Sequence, residues 1–177
     1  MLEPFKQRTV IIGNSGSGKS TLAEALAVLA NVPAIDLDLL HWTGDGYGVK
    51  REEAVARQMA MEVAAGPGWI IEGVYGWLAE VTIPRATALI WLDLPWSVCR
   101  DGLLARGVRR GGTDADFAEL LTWAQAYYDR QTSSAFSGHS RLFEEFPRTK
   151  LRLRTREEVQ HLLVDLRAEN LQPEASQ

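Results

Sequence analysis

Short apolar runs alternate along the chain with longer segments in which apolar residues recur every three or four positions. The runs are Thr9–Ile12, Val32–Asp36, Trp69–Glu72, Ala88–Asp93 and Lys150–Arg154. Strands that are apolar at consecutive positions are typical of sheets buried on both faces. Because such runs alternate with helical segments, we predict an α/β protein with a parallel sheet covered by helices on both sides.

The intervening periodicity predicts helices over 18–30, 51–65, 95–106, 114–136 and 155–168. Asp114 and Thr155 are the expected N-caps, and Glu158 stands at capping-box spacing from Thr155. Glycine-rich stretches at 44–48 and 107–113 are predicted to be flexible, and the polar tail 172–177 to be frayed. In an open parallel sheet ligands bind beyond the carboxyl ends of the strands, so the residues after each apolar run are the functional candidates.

Composition narrows the class of protein. A length of 177 residues fits a single domain, expected to span 1–177. The net charge of −4 argues against broad nucleic-acid binding. Cys99 is the only cysteine, which excludes an internal disulfide and favours a cytoplasmic location. The N-terminus lacks the pattern of a signal peptide, and no apolar run reaches membrane-spanning length, so we expect no membrane partner.

The first apolar run leads into a segment that matches the pattern G-x-x-x-x-G-K-[ST]. Its glycines let the chain curl so that backbone N–H groups point at phosphate oxygens. The lysine places a positive charge between the β- and γ-phosphates, the serine offers a hydroxyl to Mg²⁺, and the following helix adds the partial charge of its N-terminus. The expected ATP-binding residues are Gly13, Asn14, Ser15, Gly16, Ser17, Gly18, Lys19, Ser20 and Thr21, with Ser20 as the metal ligand and Lys19 as a catalytic residue.

Candidates for the second substrate follow the second apolar run. Alternation places Asp36 and Asp38 on the same side of the chain, where an acid can position Mg²⁺ through water or receive a substrate hydroxyl. Either acid can instead cap a turn. His41 and Trp42 form a pair that can stack on a planar or sugar group, or pack in the core.

Two further apolar runs end in acids. Glu72 stands at the tip of the third run, beside Gly73 and close to Tyr75, and is a candidate for binding magnesium or the acceptor; a solvated strand-end carboxylate is the alternative. Asp93 ends the next run and resembles the acid that holds the metal in many P-loop NTPases. Because Pro95 follows and begins a helix, Asp93 is also a candidate cap.

Arginines gather at the end of the third helical segment and in the glycine-rich stretch after it. Phosphoryl transfer develops charge on equatorial oxygens, which guanidinium groups stabilise when a closing loop brings them in and excludes water. Arg106, Arg109 and Arg110 are therefore predicted to be catalytic. A solvated basic loop is the alternative.

The motifs together resemble those of adenylate-kinase-related P-loop kinases, in particular the FlaR-like (DNA topology modulation protein) branch, over about residues 8–168. The motifs are the P-loop, Asp-Leu-Asp-Leu-Leu-His-Trp at 36–42, Trp-Ile-Ile-Glu-Gly-Val-Tyr at 69–75, and Leu-Ile-Trp-Leu-Asp-Leu-Pro at 89–95. The resemblance implies a nucleoside-monophosphate-kinase-like P-loop NTPase with a five-stranded parallel sheet and a short lid at about 107–116. It also implies that Lys19 clamps phosphate, that Glu72-Gly73 helps order magnesium water and acceptor, and that Arg106 contacts the transferred phosphate.

Two positions depart from adenylate kinases. No Pro-Arg pair follows Glu72-Gly73, and Gly102 stands where a nucleotide-stacking arginine is expected. AMP is therefore not the expected acceptor. We predict Mg-ATP-dependent phosphoryl transfer to a small molecule, a nucleotide or nucleoside-like acceptor bound between 38–42 and 72–75. The alternatives are a kinase for a non-nucleotide metabolite and a nucleotide-binding regulatory module, which the name of the branch associates with DNA.

Overall fold

A sheet of five parallel strands lies at the centre of the structure, a computed structural model that describes residues 3–44, 48–109 and 111–171. The sheet order is β2-β5-β1-β6-β7, and β3 and β4 form a separate antiparallel ribbon. This confirms the predicted parallel sheet. The strands are β1 (Arg8–Gly13), β2 (Ala34–Asp36), β3 (Trp42–Thr43), β4 (Val49–Lys50), β5 (Trp69–Gly73), β6 (Ala88–Leu92) and β7 (Thr149–Leu153).

Helices cover both faces of the sheet. They are α1 (Lys19–Ala30), α2 (Asp38–His41), α3 (Glu53–Ala64), α4 (Gly76–Thr82), α5 (Trp96–Arg106), α6 (Asp114–Gln125), α7 (Phe136–Glu145) and α8 (Arg156–Leu171), with 3₁₀ turns at Glu3–Lys6, Ile83–Arg85 and Ala126–Tyr128. Helices α1 and α8 pack on one face, and α3, α4 and α7 pack on the other. Within β1, Ile11 faces the first group, while Val10 and Ile12 face the second. Alternating side chains of one apolar run thus fill two cores.

The order of the strands determines where a ligand can bind. From β1 the chain runs to the β2 edge, whereas from β5 it crosses to β6 on the opposite side. Neighbouring strands with connections in opposite directions leave a crevice beyond their carboxyl ends, where ligands of open α/β sheets bind. The loop after β1 and the residues Glu72 and Gly73 at the end of β5 border this crevice.

The structure corrects several predicted helices. The predicted helix over 114–136 is wrong, because α6 ends at Gln125 and a new helix begins at Phe136. Helix α4 was not predicted. Because α6 begins at Asp114, residues 114–116 of the predicted lid are helical.

Of the two N-caps predicted from the sequence, Asp114 is wrong and Thr155 is confirmed. The N-cap of α6 is Thr113 rather than Asp114, since the Thr113 hydroxyl accepts from the Asp116 N–H at 3.2 Å and the Asp116 carboxylate accepts from the Thr113 N–H at 2.7 Å. The Thr155 hydroxyl accepts from the Glu158 N–H at 3.1 Å, as a cap does. Cys99 is a buried free thiol, as expected. In the described part of the chain every helix is too short or too polar to span a bilayer.

Candidate active site

A cavity of about 1380 Å³ opens at the carboxyl ends of β1 and β5. Pockets for one drug-sized molecule commonly have volumes of roughly 300–1,000 Å³, so this cavity has room for two ligands. One part, called here the nucleotide half, is bordered by the P-loop (residues 13–20), the end of α5 and the start of α8. The other part, the acceptor half, is bordered by α2, the β3–β4 ribbon and residues 72–75.

The P-loop curls as its glycines predict. Gly16 has φ +79° and Gly18 has φ +93°, both in the region that favours glycine. The Ser17 hydroxyl is buried and has no hydrogen-bond partner among the described residues. A backbone curled in this way points N–H groups inward and fits a bound polyphosphate, whose oxygens accept hydrogen bonds.

Lys19 and Ser20 lie at the mouth of this curl and line the cavity. Lys19 is buried, and its ammonium donates to the Asn14 carbonyl oxygen at 2.9 Å. The Ser20 hydroxyl donates to Glu72 Oε1 at 2.6 Å, which joins the loop after β1 to the end of β5. Thr21, one residue further along α1, is exposed and also lines the cavity.

Three P-loop residues, Gly13, Asn14 and Ser17, are absent from the described cavity lining, whereas Ser15, Gly16 and Gly18 belong to it. Gly13 ends β1 opposite Leu92. The Asn14 amide donates to the Ala124 carbonyl oxygen at 2.9 Å, and its side-chain oxygen accepts from the N–H of Ser15, which does line the cavity. Asn14 therefore connects the P-loop to the end of α6.

Glu72 is buried between the two halves. Desolvation raises its pKa to about 7, and the charges of Asp36 and Asp38 act in the same direction, whereas the charge of Lys19 and the Ser20 hydrogen bond oppose the rise. Ser20 and Glu72 together present two oxygen atoms beside the phosphate cradle. Mg²⁺ prefers such oxygen ligands and commonly takes the rest from substrate phosphates and water.

The acids at 36 and 38 have different environments. The Asp36 carboxylate accepts from the Asp38 N–H at 2.8 Å and so begins the short helix α2, as the turn interpretation predicted. Asp38 lines the acceptor half together with Glu72. The structure therefore brings Asp38 and Glu72, two acids predicted from the sequence, to one cavity.

An aromatic cluster completes the acceptor half. The His41 ring centroid lies 4.0 Å from that of Tyr75 and 4.6 Å from that of Trp42, and all three residues line the cavity. Burial, followed by the charge of Lys50, lowers the pKa of His41. The aromatic pair predicted from sequence is thus both packed and open to the cavity.

The arginines and Asp93 lie in three different settings. Arg106 and Arg109 line the cavity. Arg110 falls outside the described residues. The Asp93 carboxylate is bound by Arg152 at 2.7 Å and accepts from the Tyr128 hydroxyl at 3.1 Å, and it is absent from the described cavity lining. Because Pro95 is the N-cap of α5, the cap interpretation of Asp93 is wrong.

Long-range supports of the P-loop were missed from sequence. The guanidinium of Arg156 donates to the Ser17 carbonyl oxygen at 2.6 Å and to that of Gly16 at 3.1 Å. A Cβ atom on Gly102 would lie 2.5 Å from the Gly16 carbonyl oxygen. At this position any side chain would displace the P-loop, which gives Gly102 a packing role. No local signal marks Arg156, because 139 residues separate it from Ser17.

A buried network of hydrogen bonds behind the acceptor half was also not predicted from the sequence. His139 Nε2 lies 3.0 Å from the Val74 carbonyl oxygen, and Nδ1 lies 2.7 Å from the Tyr127 hydroxyl, which accepts from Trp91 Nε1 at 3.2 Å. Since a carbonyl only accepts, Nε2 carries the proton and Nδ1 accepts from Tyr127. Burial lowers the pKa of His139 to about 3, so the ring is neutral. This network of hydrogen bonds holds Val74, the residue between Gly73 and Tyr75.

The chain is similar in fold to solved kinases of small molecules. A shikimate kinase from Bacteroides thetaiotaomicron is 20% identical, with a TM-score of 0.57 and coverage of 92% of this chain and 98% of that one. A gluconokinase from Sinorhizobium meliloti is 17% identical, with a TM-score of 0.57 and coverage of 94% of each chain. A sugar kinase from Janibacter is 17% identical, with a TM-score of 0.55 and coverage of 94% and 99%.

No family model matches the chain, and no curated protein matches its sequence. The similarity to solved kinases therefore establishes the fold. The chain has the α/β fold of P-loop kinases, with a five-stranded parallel sheet flanked by helices.

Proposed function

We propose that the protein transfers the terminal phosphoryl group of Mg-ATP to a hydroxyl group of a small molecule. The observation that carries this proposal is the pairing of two unlike half-sites in one cavity. A phosphate cradle with Lys19 lies on one side, an acid and aromatic wall on the other, and the Ser20–Glu72 hydrogen bond joins them. Transfer between two substrates needs this kind of juxtaposition, because positioning supplies much of the catalysis of phosphoryl transfer.

In the nucleotide half, backbone N–H groups of the P-loop would hold the phosphates of ATP. Lys19 would leave the Asn14 carbonyl and bind the β- and γ-phosphates, and Ser20 and Glu72 would hold Mg²⁺ directly or through water. Bound Mg²⁺ neutralises charge on the phosphate oxygens. Arg106 and Arg109 would add guanidinium donors to the transferred group when the connection after α5 closes.

In the acceptor half, Asp38 would receive or orient the hydroxyl that attacks. An acid in this position raises the nucleophilicity of a hydroxyl by accepting its proton as the new bond forms. His41, Trp42 and Tyr75 would hold the rest of the acceptor through stacking and hydrogen bonds.

The solved structures of similar fold favour one of the alternatives predicted from sequence. They are sugar, gluconate and shikimate kinases, which supports the alternative of a non-nucleotide metabolite as the acceptor. Membership of the FlaR-like branch stays a proposal that rests on the four sequence motifs. The cytoplasmic location also stays a prediction.

Release of ADP tests the proposed function. We expect Mg-ATP to raise the melting temperature of the protein, because a ligand of the native state stabilises it by mass action. We expect ADP release above the no-acceptor rate with at least one acceptor from a panel of sugars, sugar acids, nucleosides and nucleotides. Lys19→Ala should lower that rate by about 10³-fold while the protein stays folded, because the charge that bridges the transferred group is lost.

Lys150→Ala is the matched control. Lys150 is exposed, lies outside the described cavity lining, and donates to the carbonyl oxygens of Phe143 and Glu144. This variant should retain the wild-type rate. ATP binding without turnover of any acceptor would instead favour the regulatory-module alternative, and equal rates in wild-type and Lys19→Ala would refute the kinase proposal.

A further inference from the structure

The acceptor half is rich in carboxylates. Asp38 and Glu72 line it, and the charge of the nearby Asp36 acts to raise the pKa of Glu72. Carboxylates accept hydrogen bonds and repel anions. An acceptor that carries a phosphate group, with up to two negative charges, would need guanidinium or ammonium donors in this half.

The arginines nearest to this wall are bound to backbone carbonyls. Arg51 donates to the Leu40 oxygen at 3.0 Å and to the Trp42 oxygen at 3.2 Å. Arg57 donates to the Trp77 oxygen at 3.2 Å and lies over the Trp77 ring, with its guanidinium carbon 5.2 Å from the centroid. Both are absent from the described cavity lining. These arginines support the aromatic wall and do not present donors to a ligand.

Apart from Lys50, the cations of the described lining lie on the side of the nucleotide half. Lys19 and Arg156 donate to carbonyl oxygens of the P-loop, and Arg109 follows the end of α5. Arg106 lies one turn beyond Gly102, which packs on the P-loop, and so belongs to the nucleotide half.

The segment between β3 and β4 that lies outside the described residues reads Asp-Gly-Tyr at 45–47 and contains no basic residue. Lys50 lines the acceptor half, with its ammonium 6.0 Å from the Trp42 ring centroid, and its single positive charge is outnumbered by the Asp38 and Glu72 carboxyl groups of the same lining.

His41 offers a neutral hydrogen-bonding group in the same wall. The residue is only 9% exposed, and its Nδ1 atom is buried without a hydrogen-bond partner among the described residues. Because its pKa is lowered, the imidazole is uncharged at neutral pH and has one donor and one acceptor nitrogen. A hydroxyl group satisfies such a ring, since it can both donate and accept.

We infer that the acceptor is an uncharged, hydroxyl-bearing ring compound, such as a nucleoside or a free sugar, rather than a phosphomonoester or a sugar acid. The compound lies against the aromatic wall, one hydroxyl bonds to His41, and another faces Asp38. The γ-phosphorus forms a bond to that second oxygen as its bond to the ADP oxygen breaks, and the hydroxyl proton passes to Asp38. This inference rests on the proposed function and specifies that the second substrate is uncharged.

Matched pairs of acceptors test whether the protein prefers an uncharged acceptor. Each pair joins an uncharged compound to its anionic counterpart, such as adenosine with AMP, or glucose with gluconate, and ADP release is measured with saturating Mg-ATP. We expect kcat/KM for an uncharged member to exceed that of its partner by at least about tenfold, since like charges in a binding site cost affinity. A preference for the anionic member in every active pair overturns the inference but leaves the kinase proposal intact. No ADP release with any member overturns both.

His41→Phe tests the hydroxyl contact. Phenylalanine keeps the ring stacking on Tyr75 and removes both nitrogens, so KM for the uncharged acceptor should rise by about tenfold while KM for ATP changes less than twofold. His161→Phe is the control, because His161 is exposed on α8 and absent from the described lining. An unchanged acceptor KM in His41→Phe contradicts the assigned contact.

Discussion

The two halves of the cavity are built in different ways. The phosphate cradle of the nucleotide half is formed by backbone from one contiguous stretch, residues 13–20, which curls at glycines and presents N–H groups. The acceptor half is formed by side chains from α2, the β3–β4 ribbon and the end of β5. Backbone donors are the same in every protein, so a phosphate cradle leaves a short and readable motif. Side-chain walls differ with each ligand and leave no fixed pattern.

The halves also differ in what holds them. The P-loop is supported from distant parts of the chain by Arg156, Gly102 and the Asn14–Ala124 hydrogen bond. The acceptor half is supported by the buried network of hydrogen bonds in which His139 binds the Val74 carbonyl oxygen. Each support should therefore be open to perturbation with little effect on the other half.

Among the variants that compare the two halves, the largest effect is expected from the arginines after α5. In a variant with both Arg109→Ala and Arg110→Ala, kcat should fall by about 10²-fold and the Kd of ATP should stay within a few-fold, because guanidinium donors act chiefly on charge that develops in the transition state. Steady-state kinetics and ATP titration measure the two effects. Equal losses in ATP affinity and kcat would make these arginines ground-state anchors of the nucleotide half.

A smaller effect is expected from Gly102→Ala, which perturbs the nucleotide half alone. The added methyl group would lie 2.5 Å from the Gly16 carbonyl oxygen and displace the P-loop. We expect ATP affinity to fall by about tenfold and the free energy of unfolding to fall by about 1–3 kcal/mol, as in other overpacked sites.

Leu104→Ala, on the exposed side of the same helix, should leave ATP affinity unchanged. Titration calorimetry and urea unfolding measure both quantities. Wild-type ATP affinity in Gly102→Ala would show that the contact between α5 and the P-loop does not shape the site.

The smallest effect on ATP affinity is expected from His139, which supports the acceptor half and gives the stability a pH dependence. His139 is neutral in the folded protein with a pKa of about 3, whereas an unfolded histidine has a pKa of about 6.5. As the pH falls from 6.5 towards 3, the unfolded chain binds a proton that the folded chain excludes, so stability is lost. In this window the wild type should lose about 1.4 kcal/mol of unfolding free energy per pH unit more than His139→Gln.

Urea unfolding at several pH values between about 4 and 6, below the pKa of an unfolded histidine, measures the two slopes. His161→Gln, at an exposed position, controls for loss of a histidine. The ATP affinity of His139→Gln should match the wild type if the acceptor half is supported separately. Parallel slopes in the wild type and His139→Gln would contradict a buried, neutral His139.

The sequence by itself determined the parallel sheet and the phosphate cradle. Apolar runs bury both faces of a strand whatever their order in the sheet, and the P-loop needs only local glycines and one lysine. Glu72 and Asp38 were found because each follows a strand, and the carboxyl ends of parallel strands meet at one edge. The helix break between Gln125 and Phe136 was missed, since the periodicity of 114–136 continues through it.

Only the tertiary structure decided which side chains support or line the site. Arg156 reaches the P-loop across 139 residues, and His139 reaches Val74 across 65. Asp93 is bound by Arg152 and is absent from the described cavity lining, although it ends an apolar run as Glu72 does. Local sequence encodes backbone conformation and burial, whereas the partners of a buried polar group depend on which distant segments the folded chain brings together.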